Sequence, residues 1–317
     1  MWSVIFPGQG SQFPGMGLFL FENFPIVREC FEEASDAIKI DMKKLCFSSS
    51  ESDLALTENT QPALLLVSIA THQVLKNVMG IRAKYFAGHS VGEYAAVVAA
   101  GGMNFADAVK AVRKRGQAMQ SAVPIGKGGM LAVVGPSSQE VLQLCDWVSQ
   151  ESGFTPISPA NYNSPQQTVV SGARNAVDWL NENIKAYKFP SAPKRVLAIP
   201  LKVSAPFHCE MMKPAEDEMR FVLDGMRFRD SVDGVVQNVT AQPISLAAEL
   251  KENLVKQITG SVRWVESVET LKKLGVSRFI ECGAGKVLAG LNKKIDVDLV
   301  TYTTNDLSEV KLLENQL

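Results

Sequence analysis

Residues 84–101 read KYFAGHSVGEYAAVVAAG, a short apolar run that passes into an alanine-rich run across one serine, Ser90. Gly88 and Gly92 stand two residues to either side of it. KYFAG predicts a strand and SVGEYAAVVAAG a helix closed by Gly101-Gly102, so the serine falls where strand becomes helix. Gly-His-Ser-Val-Gly fits G-x-S-x-G, the nucleophile elbow, in which strained backbone lifts the serine Oγ clear of the sheet. Strand and helix pass too close there for side chains, which calls for the glycines. The free N–H groups of the helix N-terminus face any anion that forms above it. The pattern alone arises by chance about once in ten chains of this length. The strand before it and the helix after it give it weight.

Upstream of the elbow, WSVIF (2–6) predicts a buried strand ended by Pro-Gly, and PGQGSQFPGMG (7–17) an irregular loop. FENFPIVRECFEEASDAI (21–38) predicts an amphipathic helix broken at Pro25, and Thr60-Gln61-Pro62 opens a helix to about Met79. Downstream, Asn104 caps a helix through Met119. From Gly128 the pattern changes. GMLAVVG, SSQEVLQLCDWVSQ, TPISPANYN, QQTVVSG, ARNAVDWLNENI and KRVLAIPL spell β-α-β-β-α-β across 129–201, the ferredoxin-like order. Strand–helix alternation resumes after Pro206, with a helix from about 208 to 224, VVQNVT as a strand, helices near 246–258 and 263–274, and SRFIEC as a strand. The expected fold is α/β. One large domain is drawn from residues 1–127 and 202–317, with a small ferredoxin-like domain inserted at 128–201.

The 317 residues carry 32 Lys and Arg against 33 Asp and Glu, with no block of five like charges, which argues against a nucleic-acid partner. The five cysteines are scattered without a CxxC, the pattern of reduced thiols rather than a disulfide framework or a zinc site. The N-terminus shows no signal-peptide pattern, and ALLLVSIA (63–70) falls far short of a membrane span. A cytoplasmic chain with no membrane contact and no metal is expected.

A serine hydroxyl needs a base to act as a nucleophile. The chain has three histidines. His89, beside Ser90 in a tight turn, should point away from it, and His72 sits in an amphipathic helix where packing or surface exposure is expected. His208, in VSAPFHCEM, follows a strand at a loop-to-helix junction, where functional side chains of α/β domains collect. It is the expected base, and a carbonyl oxygen suffices to hold its tautomer. The loop PGQGSQFPGMG lacks the Gly-Lys-Ser/Thr ending of a phosphate loop, and ECGAGKVLAG (281–290) fails the same test. As an oxyanion loop the first makes sense, with Gln9 helping to donate. In KAVRKRGQAMQ (110–120), Arg113 and Lys114 read as a solvated face, whereas Arg115, next to Gly116, should point inward toward an anionic partner.

GQGSQ, GHSVGEYAA, Arg-Gly-x-x-Met-Gln, ANYNSPQQTVVSG, APFHCEMMKPA, VRWVESVETL and ECGAGKVLAGL occur in this order from end to end of the chain. Together they resemble the malonyl-CoA:acyl carrier protein transacylase family of type II fatty-acid synthesis. The resemblance implies an α/β-hydrolase-like large domain with a ferredoxin-like insertion. It implies a ping-pong acyltransferase, with malonyl-CoA as substrate, acyl carrier protein bearing phosphopantetheine as partner, and no tightly bound cofactor. Ser90 is then the acylated nucleophile and His208 its base. The N–H groups of Val91 and Gln9 form the oxyanion hole, and Arg115 grips the malonyl carboxylate. The main-chain carbonyl of Gln257 orients the histidine, and Asn161 lies near the cleft. Phe207 stands where close relatives often have serine, and in related polyketide acyltransferase domains that change accompanies malonyl selection.

An acidic carrier calls for a basic rim, for which Lys194, Arg195, Lys286 and Lys293 are candidates, and the chain is expected to be a monomer. Two rival readings stand beside this one. A serine esterase or patatin-like lipase would pair Ser90 with the Asp of Asp233-Gly234 but leave Arg115 and APFHC unexplained. A non-catalytic carrier-binding protein would leave Ser90, His208 and Arg115 unexplained together.

Overall fold

The computed structural model describes residues 1–203 and 205–314. Ser204 and the outer end of the expected large domain, 315–317, lie outside the described residues. The fold is mixed α/β, with a mainly parallel sheet and a separate antiparallel one. The parallel sheet contains β1 (Trp2–Phe6), β2 (Tyr85–Gly88), β7 (Gly234–Val236), β8 (Pro243–Ile244), β9 (Arg278–Glu281) and β10 (Val300–Tyr302). Their spatial order is β10-β9-β1-β2-β7-β8, and only the edge strand β8 runs antiparallel.

Both faces of this sheet are buried, so its strands are continuous apolar runs rather than alternating ones. The pleat divides them. Val4, Phe6, Phe86, Val235 and Ile280 join the core that includes the helices Thr57–Gln73, Gly92–Ala99 and Phe105–Ser121. Ile5, Ala87, Val236 and Phe279 face the opposite core, with Trp264, Val268 and Leu271 of the helix Trp264–Lys273 and Leu288 and Leu291 of the helix Val287–Ile295. Fully buried side chains of this size contribute roughly 1.5–3 kcal/mol each. Because the five parallel strands share one direction, the loops after β1, β2, β7 and β9 gather along one edge of the sheet. That edge is where ligands bind in open parallel sheets.

The antiparallel sheet contains β3 (Gly128–Val134), β4 (Ile157–Ser164), β5 (Gln167–Ala173) and β6 (Leu197–Pro200) in the order β4-β5-β3-β6. Leu131, Val133 and Val170 pack under the helices Ser138–Ser152 and Arg174–Asn183. Met130, Ala132 and Val169, one residue out of phase, face the core of the large sheet. The first of those helices opens with a capping box in which Ser137 and Glu140 satisfy each other's backbone N–H groups.

Several elements depart from the sequence reading. The helix expected to open at Thr60 begins at Thr57 and ends at Gln73, followed by a π-helical turn, Val74–Val78. Pro62 therefore lies inside it, and the carbonyl of Glu58, which its missing N–H leaves without a helical partner, accepts from Arg113 Nη1 at 2.7 Å. The helix near 208–224 is a short 3₁₀ turn, Glu210–Met212, followed by Lys213–Asp224. VVQNVT is a strand only to Val236, so Gln237 and Asn238 leave the sheet. Strands β8 and β10 have two and three residues, too short to register as periodicity.

Candidate active site

Ser90 sits two residues past the end of β2 with φ of +53°, left-handed backbone that a non-glycine residue adopts only when its surroundings hold it there. The surroundings are tight. A Cβ at Gly88 would lie 2.0 Å from the carbonyl of Gly92, and one at Gly92 would lie 2.2 Å from the carbonyl oxygen of Phe6. Both glycines are thus required by close approach of backbone to backbone. Asn238, just beyond β7, straps the turn: its Oδ1 accepts from the Ser90 N–H at 2.8 Å and its Nδ2 donates to Gly88 O at 2.6 Å.

The Ser90 hydroxyl lies 2.8 Å from His208 Nε2. On the far side of the imidazole, Nδ1 lies 2.8 Å from the carbonyl oxygen of Gln257 and 3.1 Å from that of Gly260. Carbonyls only accept, so Nδ1 carries the proton and Nε2 offers a lone pair to the serine hydroxyl. Burial, and then the Arg115 cation, push the His208 pKa down to about 3, and the two carbonyls oppose the shift only in part. The ring is neutral, the form a base requires. His208 also has positive φ, +59°.

Arg115 is buried, at 1% exposure. Gly116 makes this possible, since a Cβ there would come within 2.6 Å of the Glu58 backbone on the neighbouring helix. The guanidinium Nη1 donates to Gln61 Oε1 at 2.9 Å, and Nη2 donates to Gln257 Oε1 at 2.8 Å and to Ser90 Oγ at 3.2 Å. Its plane lies near the Tyr94 ring, 5.8 Å from the centroid, and its buried Nε has no partner among the described residues. Every oxygen it contacts is neutral.

A cavity of about 100 Å³ opens over the serine, lined by Gln9, Ser90, Met130, Asn161, Phe207 and His208 among others. Asn161 and Phe207 are buried at its wall, Asn161 in β4 beside a bulge in the β4–β5 pairing. Val91 is buried at the start of the helix Gly92–Ala99. Among the described residues neither the Val91 nor the Gln9 N–H donates within the fold. The Ser90 N–H, bound to Asn238, is already committed.

The other sequence candidates separate cleanly. His89 points away from the hydroxyl, with Nε2 2.8 Å from Asn163 Oδ1. His72 is packed edge-on against Phe6 and Phe86. Arg113, expected on a solvated face, is instead three-quarters or more buried and pairs with Glu58 at 3.0 Å and Asn59 at 2.6 Å, because Pro62 leaves a carbonyl for it to serve. Asp233 precedes Gly234, which lies beside Tyr85 at the start of β2. At about 3.3 Å per residue, that puts it roughly 15–20 Å of strand from the serine end, so no Ser-Asp dyad forms. Lys194, Arg195, Lys286 and Lys293 are exposed, and Lys293 lines a groove of about 690 Å³ beside β6.

Three contributors were not read from the sequence: Asn238, Gln61 and the buried carboxylate of Glu93. Their signal was slight: Glu93 is one charge beside an alanine-rich run, Asn238 follows Val235-Val236-Gln237, and Gln61 lies at the polar head of an apolar helix, and none of these settings names a partner.

The acyl transferase domain family matches residues 3–282. A malonyl CoA-acyl carrier protein transacylase of Bacillus subtilis (strain 168) is 42% identical over 310 residues, 98% of this chain and 95% of its own. Among solved structures, an acyl carrier protein S-malonyltransferase from Vibrio cholerae superposes with a TM-score of 0.92 at 38% identity, covering 98% of this chain and 99% of that one. A malonyl-transacylase solved in complex with its type II PKS acyl-carrier protein superposes with a TM-score of 0.93 at 38% identity, covering 100% and 99%. By sequence and by structure, this chain belongs to the malonyl CoA-acyl carrier protein transacylase family of acyl transferases.

Proposed function

We propose that this chain moves a malonyl group from malonyl-CoA to the phosphopantetheine thiol of an acyl carrier protein, through a malonyl ester on Ser90. The observation that carries the reading is one oxygen with two partners: Ser90 Oγ lies 2.8 Å from His208 Nε2 and 3.2 Å from Arg115 Nη2. Ser90 and His208 line one small cavity, and the buried Arg115 cation touches the serine oxygen beside it, which supports a grip on a distal carboxylate.

In the first half-reaction the Ser90 oxygen attacks the thioester carbonyl while His208 Nε2 takes its proton. The tetrahedral oxyanion is received by the N–H groups of Val91 and Gln9, a reading supported by their lack of partners within the fold and by the engagement of the Ser90 N–H elsewhere. His208 returns the proton to the sulfur as the C–S bond breaks. In the second half the carrier thiol gives its proton to His208, its sulfur attacks the ester, and Ser90 leaves and is reprotonated. Throughout, Arg115 holds the malonyl carboxylate, and an acyl group lacking one leaves a buried cation unmatched. Asn161 and Phe207 bound the cavity beside the α-carbon, and Lys194, Arg195, Lys286 and Lys293 face the acidic carrier.

The same proposal treats 128–201 as a ferredoxin-like domain inserted into an α/β-hydrolase-like one made from 1–127 and 202–317. The strand order β4-β5-β3-β6 under two helices supports it. A cytoplasmic monomer completes the reading, and the five buried free thiols suit a reducing compartment. Brief incubation with malonyl-CoA should add one malonyl group, mapped by peptide mass spectrometry to Ser90, and addition of phosphopantetheinylated carrier should remove it. No adduct, or an adduct elsewhere, sinks the proposal.

A further inference from the structure

The mechanism above uses no carboxylate of the protein, yet one is buried within two side chains of the nucleophile. Glu93, three residues after Ser90, has no exposed surface. Three donors from distant parts of the chain converge on it: Gln237 Nε2 on Oε1 at 3.0 Å, and the Asn238 N–H at 2.7 Å and Gln257 Nε2 at 3.0 Å on Oε2. Gln237 is held in turn by Asn253 Nδ2 at 2.8 Å and by its own bond to Leu250 O at 3.1 Å.

The amide of Gln257 links this carboxylate to the buried cation. Its nitrogen donates to Glu93, to Ser90 O at 3.0 Å and to Asn238 Oδ1 at 3.2 Å, so its oxygen must face the other way, where it accepts from Arg115 Nη2 at 2.8 Å. An amide turned over would set its NH₂ against the guanidinium and its oxygen against the carboxylate. Glu93, together with Ser90 O and Asn238 Oδ1, therefore fixes which end of Gln257 meets Arg115, and it is the one carboxylate of the three. A buried cation needs a nearby anion. Among the described residues Arg115 makes no direct ion pair, and Glu93 supplies the counter-charge from one amide away. That spacing has a chemical consequence: a carboxylate in direct contact would occupy the guanidinium fork, whereas one behind Gln257 holds the fork in place and leaves it for a substrate.

We propose that Glu93 is a positioning residue for acyl selection, orienting Arg115 through the Gln257 side chain so that it receives the distal carboxylate of a malonyl group. This rests on the malonyl-transfer reading and adds to it a residue that touches neither substrate nor the reacting atoms. It also gives Gln257 two separable duties, its main-chain carbonyl to His208 and its side chain to Arg115.

The experiment compares Ser90 acylation by malonyl-CoA with acylation by p-nitrophenyl acetate, a neutral ester with no distal carboxylate. Any general loosening of the elbow slows both and cancels in their ratio. In Glu93→Gln the malonyl-to-acetyl ratio of kcat/KM should fall about tenfold, the range of one hydrogen bond to a charged group, mainly through KM for malonyl-CoA. In an Arg115→Ala background the same change should leave the ratio unaltered, because the group it positions is gone. A ratio within about twofold of wild type, or a fall that adds fully to that of Arg115→Ala, overturns the proposal. Should Glu93→Gln not fold, Gln257→Ala cuts the same link while keeping the main-chain carbonyl, and an unchanged ratio there overturns it equally. Malonyl transfer by the wild-type protein is the control for the underlying reading, and its absence would reject that reading rather than only the role of Glu93.

Discussion

Two buried carboxylates stand at the same edge of the parallel sheet, and their partners set them apart. Glu93 lies just past the end of β2 and Glu281 ends β9; both have no exposed surface, and burial pushes both pKa values up to about 7. Glu281 accepts from the N–H groups of Leu288 and Ala289, seven and eight residues along its own chain, at 3.0 and 2.8 Å. It seats the start of the helix Val287–Ile295, where orphan N–H groups and the helix dipole favour an anion. Glu93 accepts from Gln237, Asn238 and Gln257, some 140 to 160 residues away. A local carboxylate stabilises its own loop, and a long-range one registers separate loops into a site. The chemistry is identical, and only the origin of the donors decides which outcome follows.

That contrast breaks first if the β2 edge does not carry the chemistry. His208→Ala should slow malonylation of Ser90 by about a thousandfold, the scale of a lost general base, with the melting transition little changed; rapid-quench intact mass measures it. Arg115→Ala should lower malonyl transfer by about a hundredfold while raising acetyl transfer relative to malonyl, read from a panel of acyl-CoA thioesters. An unchanged ratio would count against the assigned grip.

A third test concerns a buried titratable group that belongs to neither carboxylate. Burial depresses the His72 pKa to about 4, so the unfolded chain binds more protons than the folded one between about pH 6.5 and 4. Stability from this residue is present above about 6.5 and is lost as pH falls. Glu93 and Glu281, raised by burial, act with the opposite sign between their unfolded values and about 7. The comparison with His72→Phe isolates the histidine. The variant should lose less stability than wild type from pH 7 to pH 4, by on the order of 2–3 kcal/mol in urea titrations.

The smallest pair sharpens the contrast most directly. Asn238→Ala removes the strap across the elbow and should lower kcat about tenfold with KM for malonyl-CoA little changed, one lost positioning bond. Glu281→Gln should do the reverse, lowering stability by about 1–2 kcal/mol and leaving kcat/KM within about twofold. Equal effects of the two on catalysis would erase the distinction drawn here.

Much of this was legible in order along the chain. The elbow, the expected base, the inward arginine and the two sheet patterns were each announced by local residues: glycines flanking Ser90, a histidine at a loop-to-helix junction, a glycine after Arg115, a change of period at Gly128. Arg113 was misread because its partner carbonyl exists only once Pro62 sits inside a helix. Asn238 was hidden in what read as a strand, since two amides after Val235-Val236 do not reveal that the chain leaves the sheet there.

The sequence alone carried most of the periodicity and turn chemistry and named Ser90, His208 and Arg115 as candidates, because those readings depend on neighbours a few residues away. The tertiary structure alone decided which side chains meet: that His208 reaches Ser90, that Gln257 points its carbonyl one way and its amide another, and that Glu93 answers Arg115 across a glutamine. Hydrogen bonds act over about 3 Å of space whatever the separation in sequence. Only the closing of the parallel sheet, which gathers its loops at one edge, brings these groups within that distance.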